Sequence, residues 1–363
     1  MPEITSPRMR GAIGRAFRQL GSAALLIACA ASVCAEGAGI HGAGSTAAAL
    51  IYQGWARDYQ VLSGVALNYE AVGSGAGMQR IRARELDFGA TDVAPSEAEL
   101  ARDGLILIPI AITGIAPVFN LPKFNDQALR LSGDVLAQIF LGQIKRWNAS
   151  EIADLNPGAR LPDAPITVVV RADGSGTSYH FGDYLGKVNP NWQSKMSAKT
   201  SYVWPSDFVA VKGSTAVVKA VRDTPGSIGY VDFGYVKESH LAVVQMRNAD
   251  GEYPKPSAAA FRAALMNSDW VRVGAFSSTL TDKHGKDTWP LTMGTYALIP
   301  GVVDNAVQSA KTLNYFTWAL LKGDSVVQEN NFVRLPDRVQ AAAFRALVSV
   351  RDKTGKAVPV SMN

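Results

Sequence analysis

The chain has 363 residues, of which 47% are hydrophobic and 18% charged, and a formal net charge of +5. That length exceeds one typical core, so two domains or two lobes are expected, and the composition is that of an ordinary soluble globular protein. Arg8, Arg10, Arg15 and Arg18 fall in the first 35 residues; beyond them 32 basic residues face 30 acidic ones, a balance that gives no basis for nucleic-acid binding.

Residues 1–35 read as an export signal. The four arginines form its positive n-region, Ala23 to Ala31 a short apolar h-region, and Val33-Cys34-Ala35 a small-residue cleavage site. Met9 serves equally well as the start, because the segment from there already has the order of a complete signal. No later stretch approaches the roughly 18 to 20 apolar residues of a membrane span. Both cysteines, Cys29 and Cys34, lie inside the signal, so the expected mature chain has no disulfide and no thiolate metal site. Leu26-Ile27-Ala28-Cys29 also fits a loose lipobox that would lipidate Cys29, with cleavage after Ala35 the preferred reading.

Beyond the signal, short apolar strands alternate with helical patterns, the signature of an α/β protein with largely parallel sheets. Thr46 to Tyr59 predicts a helix with Leu50, Ile51 and Trp55 on one face. Ala66 to Glu70 predicts a strand, Gly77 to Arg84 a helix, and Asp87 to Asp92 a strand running into a loop. A long apolar strand over Leu105 to Phe119 leads to a middle region with segments at Gly133 to Leu141 and Thr167 to Val170, the latter feeding a helix over Thr177 to Val188. Tyr296 to Pro300 predicts a further strand, followed by helices with Phe316, Trp318 and Leu320 on apolar faces. No period of 20 to 50 residues repeats, so the two lobes are expected to be interleaved in sequence.

Three stretches place glycines and hydroxyls directly before a helix: Gly42 to Ala47 (GAGSTA), Val72 to Gly77 (VGSGAG) and Arg171 to Ser178 (RADGSGTS). A helix start carries backbone N–H groups without partners and the positive end of the helix dipole, so an oxyanion is favoured there. Glycine allows close backbone approach, and Ser45, Thr46, Ser74, Ser175 and Thr177 offer hydroxyl protons to one small tetrahedral anion. Singly, each stretch is an ordinary helix cap; their joint occurrence with the arginine run points to a built anion site. His41, His180, His240 and His284 have no metal-ligand spacing and are read as surface or structural, and no metal is expected. The seven tryptophans are scattered and read as core. No G-x-S-x-G elbow and no Walker A motif is present.

With these loops go DFGATD (Asp87 to Asp92), IFLGQIKRWN (Ile139 to Asn148), VVRADGSGTS (Val169 to Ser178) and PGSIGYV (Pro225 to Val231). From about Ile40 to Val358 the chain resembles the PstS family, the phosphate-binding proteins of high-affinity bacterial phosphate ABC transporters. The resemblance implies a type II periplasmic binding-protein fold, in which two α/β lobes joined by a two-strand hinge hold the ligand in the cleft. Lobe I would comprise residues 36–115 and 297–363, and lobe II residues 116–296. By position it implies phosphate contacts from Thr46, Ala47, Ser74, Asp92, Arg171, Ser175, Gly176 and Thr177, with Asp173 orienting Arg171. It also implies a periplasmic, monomeric receptor without cofactor or enzymatic activity, which delivers phosphate to inner-membrane permease subunits with their cytoplasmic ATPase. A phosphatase using the same pocket, or a binder of sulfate or molybdate, are the alternatives. Two departures stand out: Ala47 replaces a phenylalanine common in relatives, and Lys212 to Ala216 (KGSTA) replaces a more usual G-N-(E/D)-G pattern.

Overall fold

The computed structural model describes residues 39–122, 124 and 128–361. The export signal, its cleavage site and both cysteines lie outside the described residues.

The first stretch runs β1 (Ile40–Gly44), α1 (Ala49–Ser63), β2 (Leu67–Glu70), α2 (Ser74–Arg82), β3 (Phe88–Thr91), α3 (Glu97–Asp103) and β4 (Leu105–Asn120). The middle holds β5 (Leu129–Leu131), α4 (Gly133–Phe140), α5 (Ser150–Ala153), β6 (Thr167–Arg171), α6 (Gly176–Val188), α7 (Pro190–Lys195), β7 (Val209–Val211), α8 (Ser214–Asp223), β8 (Ser227–Asp232), α9 (Gly234–Ser239) and β9 (Ala242–Met246). Then come α10 (Ala258–Met266), α11 (Asp269–Arg272), β10 (Thr292–Pro300), β11 (Val302–Val303), α12 (Ala306–Lys322), α13 (Asp324–Glu329), α14 (Asp337–Val348) and β12 (Arg351–Asp352). Among the described residues no helix is long and apolar enough to cross a membrane.

The main sheet has the path β2-β1-β3-β10-β4-β8-β6-β7. Its ends are parallel, as the sequence suggested: β1 pairs in parallel with β2 and β3, and β6 with β7 and β8. Its centre is not. There β10 runs antiparallel to both β3 and β4, and β8 antiparallel to β4. The sixteen-residue β4 is apolar but for Thr113 and Asn120 and is buried from Ile108 to Phe119, as befits a strand covered on both faces. It changes partners along its length, pairing with β10 up to Gly114 and with β8 from Ile115. Its register against β10 shifts between Thr295 and Tyr296, beside Pro109, which has no N–H to give the ladder.

Two boundaries differ from the sequence reading for local reasons. Helix α1 begins at Ala49 and not Thr46, because residues 45–48 form a turn in which Ser45 Oγ accepts the Ala48 N–H at 3.2 Å. Helix α2 starts at Ser74, three residues before the expected Gly77, immediately after Gly73, whose φ of 94° few other residues adopt. Five tryptophans, Trp55, Trp147, Trp192, Trp270 and Trp289, are fully buried, while Trp204 and Trp318 are half-buried.

One buried carboxyl sits where β4 changes partners. Asp232, on β8 opposite Ile115, is fully buried; its Oδ2 accepts from Thr113 Oγ1 at 2.7 Å and its Oδ1 from the Gly234 N–H at 2.8 Å. Burial pushes its carboxyl up to about 8. The folded protein therefore holds a proton that the unfolded chain releases near pH 4, so stability is lost as pH rises from about 4 through about 8. Asp232→Asn keeps the protonated shape without the charge. Its melting temperature is expected to gain roughly 5 °C on the wild type between pH 6 and pH 9; a difference that does not change with pH would show that Asp232 does not titrate there.

Candidate anion-binding site

The C-terminal ends of β1, β3 and β6 deliver three loops to one place. Pairing of β1 with β3 (Gly44 opposite Ala90), continued by Ser45 N–H to Ala90 O at 2.9 Å, sets the Ser45–Ala48 turn beside Asp92. Strand β6 ends in Arg171, and the loop after it opens α6 with Ser175 as N-cap, its Oγ accepting the Ser178 N–H at 3.1 Å. A cap hydroxyl used as an acceptor keeps its own proton to donate.

The loops touch one another. Gly75 N–H donates to Gly174 O at 2.9 Å, tying the start of α2 to the loop before α6. A Cβ on Gly176 would lie 2.6 Å from Asp92 Cβ and 2.7 Å from both Asp92 Oδ2 and Ser74 Oγ, so only glycine fits where α6 begins. A fourth helix start completes the cluster: Ser214, first residue of α8, shares a 2.8 Å hydrogen bond with Thr46 Oγ1. Tyr235 donates to the Thr46 carbonyl at 2.6 Å.

Asp92 is buried and held at several points. Its Oδ2 accepts from Ser45 Oγ at 2.7 Å and Ser74 Oγ at 3.3 Å; its N–H donates to Ser74 Oγ at 3.2 Å, and its carbonyl accepts from His180 Nε2 at 2.6 Å. Its Oδ1 is buried without a hydrogen bond of good geometry, and the equally buried Thr295 hydroxyl at the β10 register shift lies close enough to favour the charged carboxylate. Burial pushes the Asp92 carboxyl up, with the Ser45 hydrogen bond opposing. Arg171, 3% exposed, grips Asp173 through Nε to Oδ1 at 2.7 Å and Nη2 to Oδ2 at 2.5 Å, which leaves Nη1 outside the pair. Burial raises the Asp173 carboxyl, but the bond and charge of Arg171 outweigh it and hold it below the usual carboxylate range. Asp173 Oδ1 also accepts the Gly213 N–H at 3.1 Å, so one carboxylate locks the arginine and the start of α8 together.

Every residue expected in the site is buried here: Thr46, Ala47, Ser74, Asp92, Arg171, Ser175 and Thr177 are each at most 5% exposed, with Gly176 buried between Asp92 and Ser74. Four further residues belong to the cluster. Ser45, counted among the donors to the anion, instead gives its one proton to Asp92. Ser214 stands in the segment noted only as a departure from relatives, although Gly213 (φ 83°) before an amphipathic run was its signal. His180, read as surface or structural, is buried against Asp92. Thr295 had no signal, because its position depends on the register shift.

The family model described as a PBP superfamily domain matches residues 30–308. The chain is 38% identical to the phosphate-binding protein PstS of Xylella fastidiosa over 297 residues, covering 82% of this chain and 81% of that protein. It is 38% identical to the PstS of Pasteurella multocida over 319 residues, covering 87% and 92%. Among solved structures, a high-affinity periplasmic phosphate-binding protein (PfluDING) bound with phosphate superposes with a TM-score of 0.67 at 21% identity, covering 84% of this chain and 92% of that one. A phosphate-binding protein from Stenotrophomonas maltophilia gives 0.65 at 21%, covering 85% and 93%. These structures share the fold.

Gly176→Ala would drive a methyl group into the Asp92 carboxylate and the Ser74 hydroxyl. Overpacking of this kind costs ~1–3 kcal/mol, so the melting temperature is expected to fall by about 2–8 °C. A variant as stable as the wild type would mean that α6 and Asp92 do not meet as described.

Proposed function

The chain belongs to the PstS family of phosphate-binding proteins, and from that premise we propose that it is an exported, periplasmic receptor that encloses one inorganic phosphate and hands it to an ABC transporter permease. Thr46, Ala47, Ser74, Asp92, Arg171, Ser175, Gly176 and Thr177 are the proposed contacts, with Asp173 holding Arg171. Residues 39–115 with 297–361, and residues 116–296, are the proposed lobes, and closure of one on the other over the anion is the state a permease would read. We take the receptor to be monomeric.

The observation that carries this reading is the buried Asp92 carboxylate at the start of α6, whose Oδ1 makes no direct hydrogen bond. Phosphate near neutral pH still carries a proton and can donate it to that oxygen. Sulfate carries none and meets only repulsion, and an unsatisfied buried charge costs more than the ~1–3 kcal/mol of a neutral group. Arg171 contributes one positive charge that Asp173 largely balances, so helix N-termini and hydroxyls must stabilise the ligand. A binding role also suits His180, whose Nε2 serves a carbonyl and not a hydroxyl that it could activate as a nucleophile.

Calorimetric titration of the mature protein, stripped of co-purified anion, is expected to give one-to-one phosphate binding, micromolar or tighter, at pH 8 with little sulfate response. Arg171→Ala should weaken phosphate at least tenfold. Because sulfate can be accepted only once Asp92 is protonated, and burial already raises that carboxyl, sulfate affinity should rise as pH falls, by at most tenfold per pH unit. Equal binding of both anions at pH 8 would assign the site to another oxyanion, and turnover of a phosphomonoester would assign it to a hydrolase.

A further inference from the structure

The carbonyl of Asp92 can only accept, so the 2.6 Å contact from His180 requires a proton on Nε2. The other ring nitrogen, Nδ1, is buried without a partner. A bare lone pair is tolerable there, but an N–H, and still more an imidazolium, would be buried unsatisfied. The geometry therefore selects the neutral Nε2–H tautomer, and burial pulls the imidazole pKa down in the same sense. The charges facing the ring are those of Asp92, Asp183 and Lys187, two negative and one positive.

His180 stands in α6, the helix whose first residues, Ser175 to Thr177, would cradle the anion. Its bond thus spans two parts of the site that are 88 residues apart in sequence: the acceptor that reads the ligand's proton and the helix start that binds its charge. Ser45 and Ser74 fix Asp92 Oδ2, while His180 fixes the main chain from which the carboxylate extends. Building on the phosphate-receptor reading, we propose that His180 is a positioning residue that sets the distance between Asp92 and the N-terminus of α6 and thereby maintains selectivity for phosphate over sulfate. It does not touch the ligand. A displacement of well under an ångström at Oδ1 would lengthen a charge-assisted hydrogen bond whose strength depends on being short.

The test compares phosphate and sulfate binding by calorimetry in the wild type, His180→Leu and His180→Gln. His180→Leu removes the donor and is expected to weaken phosphate at least tenfold with a smaller change for sulfate, so the ratio of the two affinities falls at least fivefold. His180→Gln, whose amide nitrogen reaches the place of Nε2, should recover most of that ratio. A purely structural role would lower the melting temperature and leave the ratio alone, and that result overturns the inference. If His180→Leu does not fold, nitrogen NMR of the phosphate-bound wild type decides: a neutral Nε2–H ring that does not titrate between pH 5.5 and 8 is expected, and an Nδ1–H tautomer or a titration near 6.5 overturns it. A wild type that binds no phosphate overturns the receptor reading and this inference together, whereas normal wild-type binding with an unchanged ratio in His180→Leu overturns this inference alone.

Discussion

The Asp92 carboxylate is buried among converging helix N-termini, and a charge buried there costs several kcal/mol unless its oxygens are hydrogen-bonded. Oδ2 is provided for twice, by Ser45 and Ser74, and the main chain on either side of the side chain by Ser74 and His180. Those four contacts come from the Ser45–Ala48 turn, α2 and α6, so the carboxylate is well placed only when three separate elements are in register. The sheet supplies that register. Parallel pairing of β1 with β3 sets the first of them, and the passage of β4 from β10 to β8 carries the chain across to the strands that bear α6 and α8.

Charge balance shapes the rest. Arg171 is held bidentate by Asp173, so the pair is nearly neutral, and the same Asp173 accepts from Gly213 at the head of α8. A site with a surplus of cations would bind any polyanion. One that relies on oriented N–H groups and hydroxyls discriminates by geometry, because each donor serves one direction only. Close contact between helix starts is what brings those donors together, and the absence of a side chain at Gly176 decides whether α6 can reach Asp92.

The parts of this arrangement visible in the sequence were those encoded locally. Glycines and hydroxyls before an apolar periodic run mark a helix start whatever the fold, and the run Arg171 to Ser178 placed the arginine and the cap in one reading, while the pairing of Asp173 with Arg171 came from the family resemblance. What stayed hidden depends on distance in sequence. Ser45 looked like a donor to the anion because its proton's destination, Asp92, is 47 residues away. His180 looked structural because a lone histidine on a helix is usually so, and nothing local says that a carbonyl 88 residues earlier faces it. The antiparallel centre of the sheet was equally hidden, since a strand that changes partners midway reads in sequence as one long apolar run. The helix start at Ser214 is encoded locally as well, by Gly213 and the hydroxyls of Ser214 and Thr215 before an amphipathic run.

Counting protons turns the geometry into a statement about the ligand. A hydroxyl has one proton to give: Ser45 has given its own to Asp92 Oδ2, Ser74 is directed to the same oxygen, and of Thr46 and Ser214 one donates to the other, leaving one free between them. Donors to an anion must therefore come mainly from backbone N–H groups at the helix starts, from the cap hydroxyl of Ser175 and from Arg171 Nη1. Against these stands one acceptor group, the Asp92 carboxylate, whose Oδ1 makes no direct hydrogen bond and has only the Thr295 hydroxyl near it. A ligand that satisfies every group must offer several oxygens and a single proton, arranged around a centre small enough to sit between helix starts already in contact. Protonated phosphate meets that requirement, and a fully ionised oxyanion of the same shape fails it at one atom.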